Sequence, residues 1–163
     1  MEIKQEVVIR VKVNGSEVNA TVSPEESLLE FLRDRVGSYD VKCGCKQGDC
    51  GTCTVVLAGQ AVKSCLVLAA QADHKEIWTL KGLENDQLMQ ELQNSFAKHG
   101  AVQCGFCTPG MLVTAKSFLE DQPNPSRGQI KAALSGNLCR CTGYKKIVDA
   151  VSAVVVSRAG GCV

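Results

Sequence analysis

The chain has 163 residues, a formal net charge of +1 and 45% hydrophobic residues. A chain of this length forms one ordinary domain or two small ones. The balanced charge lacks the basic excess of nucleic-acid-binding proteins, and the hydrophobic content argues against disorder. Apolar runs are much shorter than the roughly 20 residues of a membrane-spanning helix, and the N-terminus shows no secretory signal. The sequence therefore predicts a soluble cytoplasmic protein that binds neither membranes nor nucleic acids.

The N-terminal half has the pattern of a small β-sheet. Apolar residues alternate along Val7–Val13 and again from Val18 to Val22, and Asn14-Gly15 between them is a strong signal for a β-hairpin. Further short strands are predicted at 54–58 and 77–80.

One helix is expected directly after this hairpin. Ser23, Pro24 and Glu26 form the pattern of a helix N-terminus with a capping box. An apolar stripe at helical spacing follows, and Gly37 is expected to end the helix. This half is therefore predicted to be α+β.

The C-terminal half changes to helical periodicity. Pro and Gly residues separate four predicted helices, at about residues 85–98, 108–120, 126–134 and 144–157. The sequence thus predicts two domains, residues 1–81 with a sheet and one helix, and residues 82–163 as an all-α four-helix bundle.

Ten cysteines are the most unusual feature of the composition. In a reducing cytoplasm, clustered cysteines point to metal binding or catalysis rather than to disulfides. A bound metal would also stabilise two domains that are each too small to bury a large core.

The first cysteine group lies in the sheet half and consists of Cys45, Cys50, Cys53 and Cys65. Its first three members have four and then two residues between them, which is the plant-type spacing for a [2Fe–2S] cluster. Glycines within the loop allow the backbone to fold back around a cluster. A zinc site is the alternative, but zinc knuckles prefer arms with two residues between the cysteines.

The second group lies in the helical half and consists of Cys104, Cys107, Cys139 and Cys141. Its spacing alone leaves a four-cysteine zinc site and a [2Fe–2S] cluster both open. Cys107 and Cys141 each precede a predicted helix N-terminus, which favours negative charge. Both kinds of site carry such charge, so this placement does not separate them.

Cys43 and Cys162 remain outside both groups. We interpret Cys43 as a bystander, with exchange for a ligand of the first group as the alternative, and Cys162 as non-functional. His74 and His99 are expected in a solvated loop and at a helix end. The chain also lacks a dinucleotide or phosphate-loop fingerprint, so we expect no catalytic residue on it.

Three motifs resemble one known family. The first, in the loop of the first cysteine group, is Gly44-Cys45-x-x-Gly48-x-Cys50-Gly51-x-Cys53. The other two are Gln103-Cys104-Gly105-Phe106-Cys107-Thr108-Pro109-Gly110 and Gly136-Asn137-Leu138-Cys139-Arg140-Cys141-Thr142-Gly143-Tyr144. They resemble the iron–sulfur subunit of the molybdenum hydroxylases, the xanthine dehydrogenase/aldehyde oxidase family. The resemblance extends from about Val7 to Val156. It implies a plant-type ferredoxin-like β-grasp domain first, and a second [2Fe–2S] cluster in the helical domain.

The resemblance also implies partners. A large subunit would hold molybdopterin and a medium subunit would hold FAD, in a heterotrimer or its dimer. Electrons would pass from molybdopterin through the helical-domain cluster and then the plant-type cluster to FAD. The resemblance implies that Gln103 hydrogen-bonds the pterin and that the loop around Cys141 lies close to it. Without the motif, Gln103 would suggest only a helix-end side chain that bonds local backbone.

The substrate would be bound by the large subunit. Purines are the first expectation, and carbon monoxide, nicotinate, aromatic acyl-CoA and aldehydes are alternatives. Two other hypotheses stay open at this point. One is a free ferredoxin-like carrier with a zinc-stapled helical domain, and the other is a structural zinc or redox-switch protein.

Overall fold

The computed structural model describes residues 6–160, which form a sheet half and a helical half. The strands of the described chain join in one sheet of order β2-β1-β5-β3-β4, with β1 and β5 parallel and the other neighbours antiparallel. These strands are β1 (Val7–Val13), β2 (Ser16–Val22), β3 (Thr54–Leu57), β4 (Gln60–Lys63) and β5 (Glu76–Trp78).

The first hairpin is as predicted. Asn14 and Gly15 both have positive φ, 51° and 83°, as the tight turn between twisted strands requires. Val13 pairs with Ser16, so the second strand starts two residues before the predicted Val18. Alternate residues of β1, such as Ile9 and Val11, are buried in the core of this half.

The helix of the sheet half starts later than predicted. Ser27 is the N-cap of α1 (Leu28–Glu30), and its side chain and the Glu30 carboxylate form the capping box. The chain continues without interruption as a π-helical turn, Phe31–Arg35. The prediction of Ser23 as the cap was wrong, because the backbone closes a turn from Glu26 to Ser23 before the helix begins.

The helical half follows a short 3₁₀ turn, Lys81–Leu83. Its helices share one hydrophobic core and are α2 (Gln87–Lys98), α3 (Thr108–Asp121), α4 (Arg127–Leu134) and α5 (Lys145–Ala159). Ser126 caps α4, as predicted, with Gln129 completing the capping box. None of the helices between residues 6 and 160 has the length and apolar character needed to cross a membrane.

Strand β3 joins the two halves. Val55 and Leu57 point into the core of the sheet half, whereas Val56 between them belongs to the core of the helical half. Helix α3 packs on this strand. Its Gly110 approaches so closely that a Cβ there would overlap the carbonyl oxygen of Gly51. The two halves therefore pack directly on each other. The domain boundary between residues 81 and 82 stays a prediction.

Candidate metal centres

The loop before β3 brings the first cysteine group together. Gly48 and Gly51 have φ of +88° and +68°, which a side chain would strain. The loop therefore folds back, and the Cys45 sulfur accepts backbone N–H bonds from Gln47 at 3.5 Å and Cys50 at 3.4 Å. These amides lower the pKa of Cys45 to about 6, since they stabilise the thiolate.

The fourth thiol of this group returns through the β3–β4 hairpin. The 3₁₀ turn after β4 carries Cys65, and Ser64 in that turn donates its hydroxyl to the Cys53 carbonyl at 2.8 Å. The Cys53 and Cys65 side chains are in contact. Burial, with the adjacent Cys53, raises the pKa of Cys65 to about 11. The predicted strand, turn and returning strand thus bring Cys65 to the loop.

The second group is assembled from two separate loops. The Cys104 and Cys141 sulfurs lie 3.6 Å apart, and both residues are exposed. The Cys107 and Cys139 side chains contact each other deeper in the protein, where burial, with contact from Cys139, raises the pKa of Cys107 to about 12. The contact with Cys104 raises the pKa of Cys141.

The Cys139 sulfur has a different environment from the Cys107 sulfur with which it pairs. Burial works against its ionisation, but Thr142 donates its amide to the sulfur at 3.4 Å and places its hydroxyl at 3.0 Å. Together with the Cys141 amide and the Cys107 side chain, these bonds outweigh burial and lower the pKa of Cys139. The Cys139 amide in turn donates to the Tyr144 phenol oxygen at 2.9 Å.

The cysteine ligands of both groups suit binuclear iron–sulfur clusters. Cysteine thiolates bind such clusters, and the plant-type arrangement places a pair of thiolates on each of the two irons. In both groups the thiols approach in pairs, Cys45 with Cys50 and Cys53 with Cys65, then Cys104 with Cys141 and Cys107 with Cys139. This pairing favours two-iron clusters over single zinc ions.

The remaining residues singled out in the sequence are not members of the thiol pairs. Gln103 is exposed beside Cys104, and Cys43 is half-buried against the core of the sheet half. The His99 Nδ1 lies 2.9 Å from the Ser95 carbonyl oxygen at the end of α2, and His74 is exposed. Cys162 lies outside the described residues.

Asn137 is a functional residue that the sequence did not single out for a role. It is buried, and its amide donates to the Gly51 carbonyl at 2.9 Å while its oxygen accepts from Thr114 at 3.0 Å. The next residue, Leu138, donates its backbone N–H to the Cys50 carbonyl at 2.8 Å. Asn137 and Leu138 therefore hold the second cysteine loop against the first. Only their place within a cysteine motif could have suggested this role.

Two family models match the chain, one on each half. A "2Fe-2S iron-sulfur cluster binding domain" matches residues 11–80, and a "[2Fe-2S] binding domain" matches residues 79–152. The chain thus carries two [2Fe–2S] clusters, which decides the second site against zinc.

Similar proteins cover nearly the whole chain. The nicotinate dehydrogenase small FeS subunit of Eubacterium barkeri is 47% identical over 89% of this chain and 92% of its own length. The xanthine dehydrogenase iron-sulfur-binding subunit of Escherichia coli O157:H7 is 42% identical over 93% of this chain and 96% of its own. In the crystal structure of quinoline 2-oxidoreductase from Pseudomonas putida 86, one chain superposes with a TM-score of 0.87 at 45% identity, covering 98% of this chain and 99% of that one.

Proposed function

Because the chain belongs to the iron–sulfur subunits of the molybdenum hydroxylases, the family of xanthine dehydrogenase, we propose that it connects a molybdopterin subunit with an FAD subunit. The chain would accept electrons from molybdopterin on a large partner and deliver them one at a time to FAD on a medium partner. The assembly would be a cytoplasmic heterotrimer or a dimer of heterotrimers.

The paired thiols give the proposed ligands. Cys45, Cys50, Cys53 and Cys65 would hold the cluster of the sheet half, and Cys104, Cys107, Cys139 and Cys141 would hold the cluster of the helical half. Each cluster, when bound, takes up and releases a single electron. In the helical half, we propose that α2–α5 form a four-helix bundle whose loops carry these ligands.

The observation that carries this function is the direct contact of the two cysteine loops. The Leu138 N–H donates to the Cys50 carbonyl, and Leu138 directly precedes Cys139 in the chain. Proposed ligands of the two clusters are thus joined by one backbone hydrogen bond and a few covalent bonds. Such contact supports electron passage between the halves within one chain.

The exposed side of the second cysteine group is the proposed docking face for the molybdopterin subunit. Cys104 and Cys141 are exposed there, and Val102, Phe106 and Leu138 around them are 43%, 47% and 51% exposed. Apolar side chains grouped around exposed thiols favour burial against a partner. In this arrangement Gln103 and the Cys141 loop would lie nearest the pterin.

The FAD subunit would dock on the side of the first cysteine group. Leu66 follows Cys65 directly and is 64% exposed, and its side chain covers Gly48 of the cysteine loop. A large apolar side chain exposed beside a cluster ligand fits an interface that brings flavin close to that cluster.

The substrate class of the complex is proposed from the relatives. Nicotinate, xanthine and quinoline, which appear in their names, are all aromatic nitrogen heterocycles. We propose that the complex hydroxylates a compound of this class, of which purines are one group. The substrate would bind on the large subunit.

Metal analysis and EPR spectroscopy test the proposed electron carrier. We expect four irons and four sulfides per chain, no stoichiometric zinc, and two distinct EPR signals after reduction with dithionite. Two irons, one EPR signal and one zinc per chain would instead show a carrier with a single cluster, in which the helical half binds a structural zinc ion.

A surface substitution tests the proposed docking face. Phe106→Gln removes an aromatic side chain of the kind that dominates interface energies, so it should weaken co-purification with the molybdopterin subunit. Val8→Gln is the control, because Val8 is 74% exposed on β1. Iron content should be unchanged in both variants. Equal co-purification of Phe106→Gln and wild type would rule out this face.

A further inference from the structure

We propose that Thr142 raises the reduction potential of the helical-half cluster by donating its hydroxyl proton to the Cys139 sulfur. The inference rests on the proposed ligand role of Cys139 and assigns a tuning role to a residue that binds no iron. The Thr142 hydroxyl oxygen lies 3.0 Å from that sulfur.

The direction of this hydrogen bond follows from its neighbours. The Tyr144 N–H donates to the Thr142 hydroxyl oxygen at 3.3 Å, which occupies an acceptor position of the hydroxyl. A thiolate bound to iron has no proton of its own and can only accept. Within the described chain, the hydrogen bonds of Thr142 offer its proton no other acceptor. The proton therefore points to the Cys139 sulfur.

The backbone around Thr142 keeps this geometry in place. Tyr144 has a left-handed conformation, with φ of 66°, and is the N-cap of α5. Its phenol oxygen accepts the Cys139 N–H at 2.9 Å, so the same residue contacts both ends of the hydrogen-bonded loop. These contacts hold the Thr142 hydroxyl beside the Cys139 sulfur.

The corresponding hydroxyl in the sheet half has a competing acceptor. Thr52 places its oxygen 3.2 Å from the Cys50 sulfur, but it also donates to the Lys42 carbonyl at 3.3 Å. One proton is shared between a backbone oxygen and a sulfur, so the sulfur does not receive the whole of this hydrogen bond. Thr52 should therefore affect its cluster less than Thr142 affects the other one.

The effect on potential follows from charge. Reduction adds one electron to a cluster and breaks no bond, so negative charge on the ligand sulfurs increases. A donor hydrogen bond stabilises the more negative state more strongly, and hydrogen bonds to sulfur are among the factors that set cluster potentials. Loss of the Thr142 hydroxyl should therefore make this cluster harder to reduce.

The test is an EPR-monitored redox titration of the full-length chain with both clusters. Thr142→Val replaces the hydroxyl with a methyl group of similar size. We expect it to lower the reduction equilibrium constant of the helical-half cluster about tenfold, a shift of about 59 mV to more negative potential. Thr142→Ser keeps the hydroxyl and should titrate as wild type. Thr52→Val should shift the sheet-half cluster less.

Two results would overturn the proposal: an unchanged potential in Thr142→Val, or a Thr142→Ser potential shifted as far as that of Thr142→Val. A Thr52→Val shift as large as that of Thr142→Val would refute the argument that the Lys42 carbonyl competes for the Thr52 proton. If Thr142→Val loses iron, the reduction potentials of Thr142→Ala and Thr142→Ser are compared instead, since they also differ in the hydroxyl. Fewer than four irons in the wild-type chain would refute the proposed ligand sets instead, so the two failures are distinguishable.

Discussion

The two halves each present four thiols, but they build the group in different ways. In the sheet half, one glycine-rich loop supplies three cysteines and the next hairpin supplies the fourth, and Cys53 is buried. In the helical half, two loops far apart in sequence each supply two cysteines, and Cys104 and Cys141 are exposed. The thiols of the first site are half-buried or buried, whereas Cys104 and Cys141 give the second site an open side. Such an open side suits an electron carrier, because the proposed molybdopterin subunit can approach the second site without any unfolding of this chain.

The halves also differ in how their loops are held. The sheet-half loop depends on glycines with positive φ and on its own amides, which bind the Cys45 sulfur. The second loop of the helical half depends on Asn137, whose partners lie on both halves. The following predictions test how independent the two sites are, from the largest expected effect to the smallest.

The largest effect is expected from removal of one ligand. Cys104→Ser should abolish or perturb the helical-half cluster and leave the sheet-half cluster intact, because the two ligand sets lie on different loops. Iron content would fall from four toward two per chain, and one EPR signal would remain. Loss of both signals would show that the sites form as one unit.

A large effect on stability is expected at the contact between α3 and the cysteine loop. Gly110→Ala would place a Cβ against the Gly51 carbonyl, and overpacking of this kind costs about 1–3 kcal/mol of unfolding free energy. Gly128→Ala on α4 is the matched control, since the nearest atom to its Cβ is 3.9 Å away. Alanine favours helix, so the control should be neutral or stabilising by up to about 1 kcal/mol. Denaturant unfolding compares the two, and equal stabilities would argue against a tight contact at Gly110.

A smaller loss is expected for Asn137→Ala. It would remove the Asn137 donor from the Gly51 carbonyl, which keeps its bonds from Thr54, and would take the Asn137 acceptor from the Thr114 hydroxyl, at a cost of about 0.5–1.5 kcal/mol. The magnetic interaction between the two reduced clusters should also weaken as the loops separate. Asn94→Ala, at an exposed position of α2, is the control and should change neither stability nor EPR spectra. An Asn137→Ala chain that behaves like this control would contradict the bridging role.

The smallest effect on the clusters is expected for Cys43→Ser. Cys43 is half-buried against the sheet-half core and lies outside the thiol pairs. Both EPR signals should persist with four irons per chain. Disappearance of the plant-type signal in this variant would make Cys43 a ligand and require reassignment of the first group.

Local patterns predicted most of the elements and failed at one helix start. Asn14-Gly15 and Ser126 act where the sequence indicated, because a tight turn and a helix cap are decided by residues within a few positions. Ser23 and Ser27 both offer a serine with a glutamate three residues later. The choice between them depends on a distant contact, since the Leu28 N–H donates to the Val67 carbonyl and fixes the chain at Ser27. Nothing near Ser23 in the sequence could reveal that contact.

The sequence by itself determined the two cysteine groups and the motifs that identify the family. Ligand spacing is a local property, because a short loop can surround a cluster only with cysteines at suitable intervals. The tertiary structure alone decided which thiols pair, which side of each site is exposed, and how the loops meet at Gly51, Gly110 and Asn137. The contacts at Gly51, Gly110 and Asn137 join residues separated by tens of positions, and packing of α3 on β3 helps to bring them together.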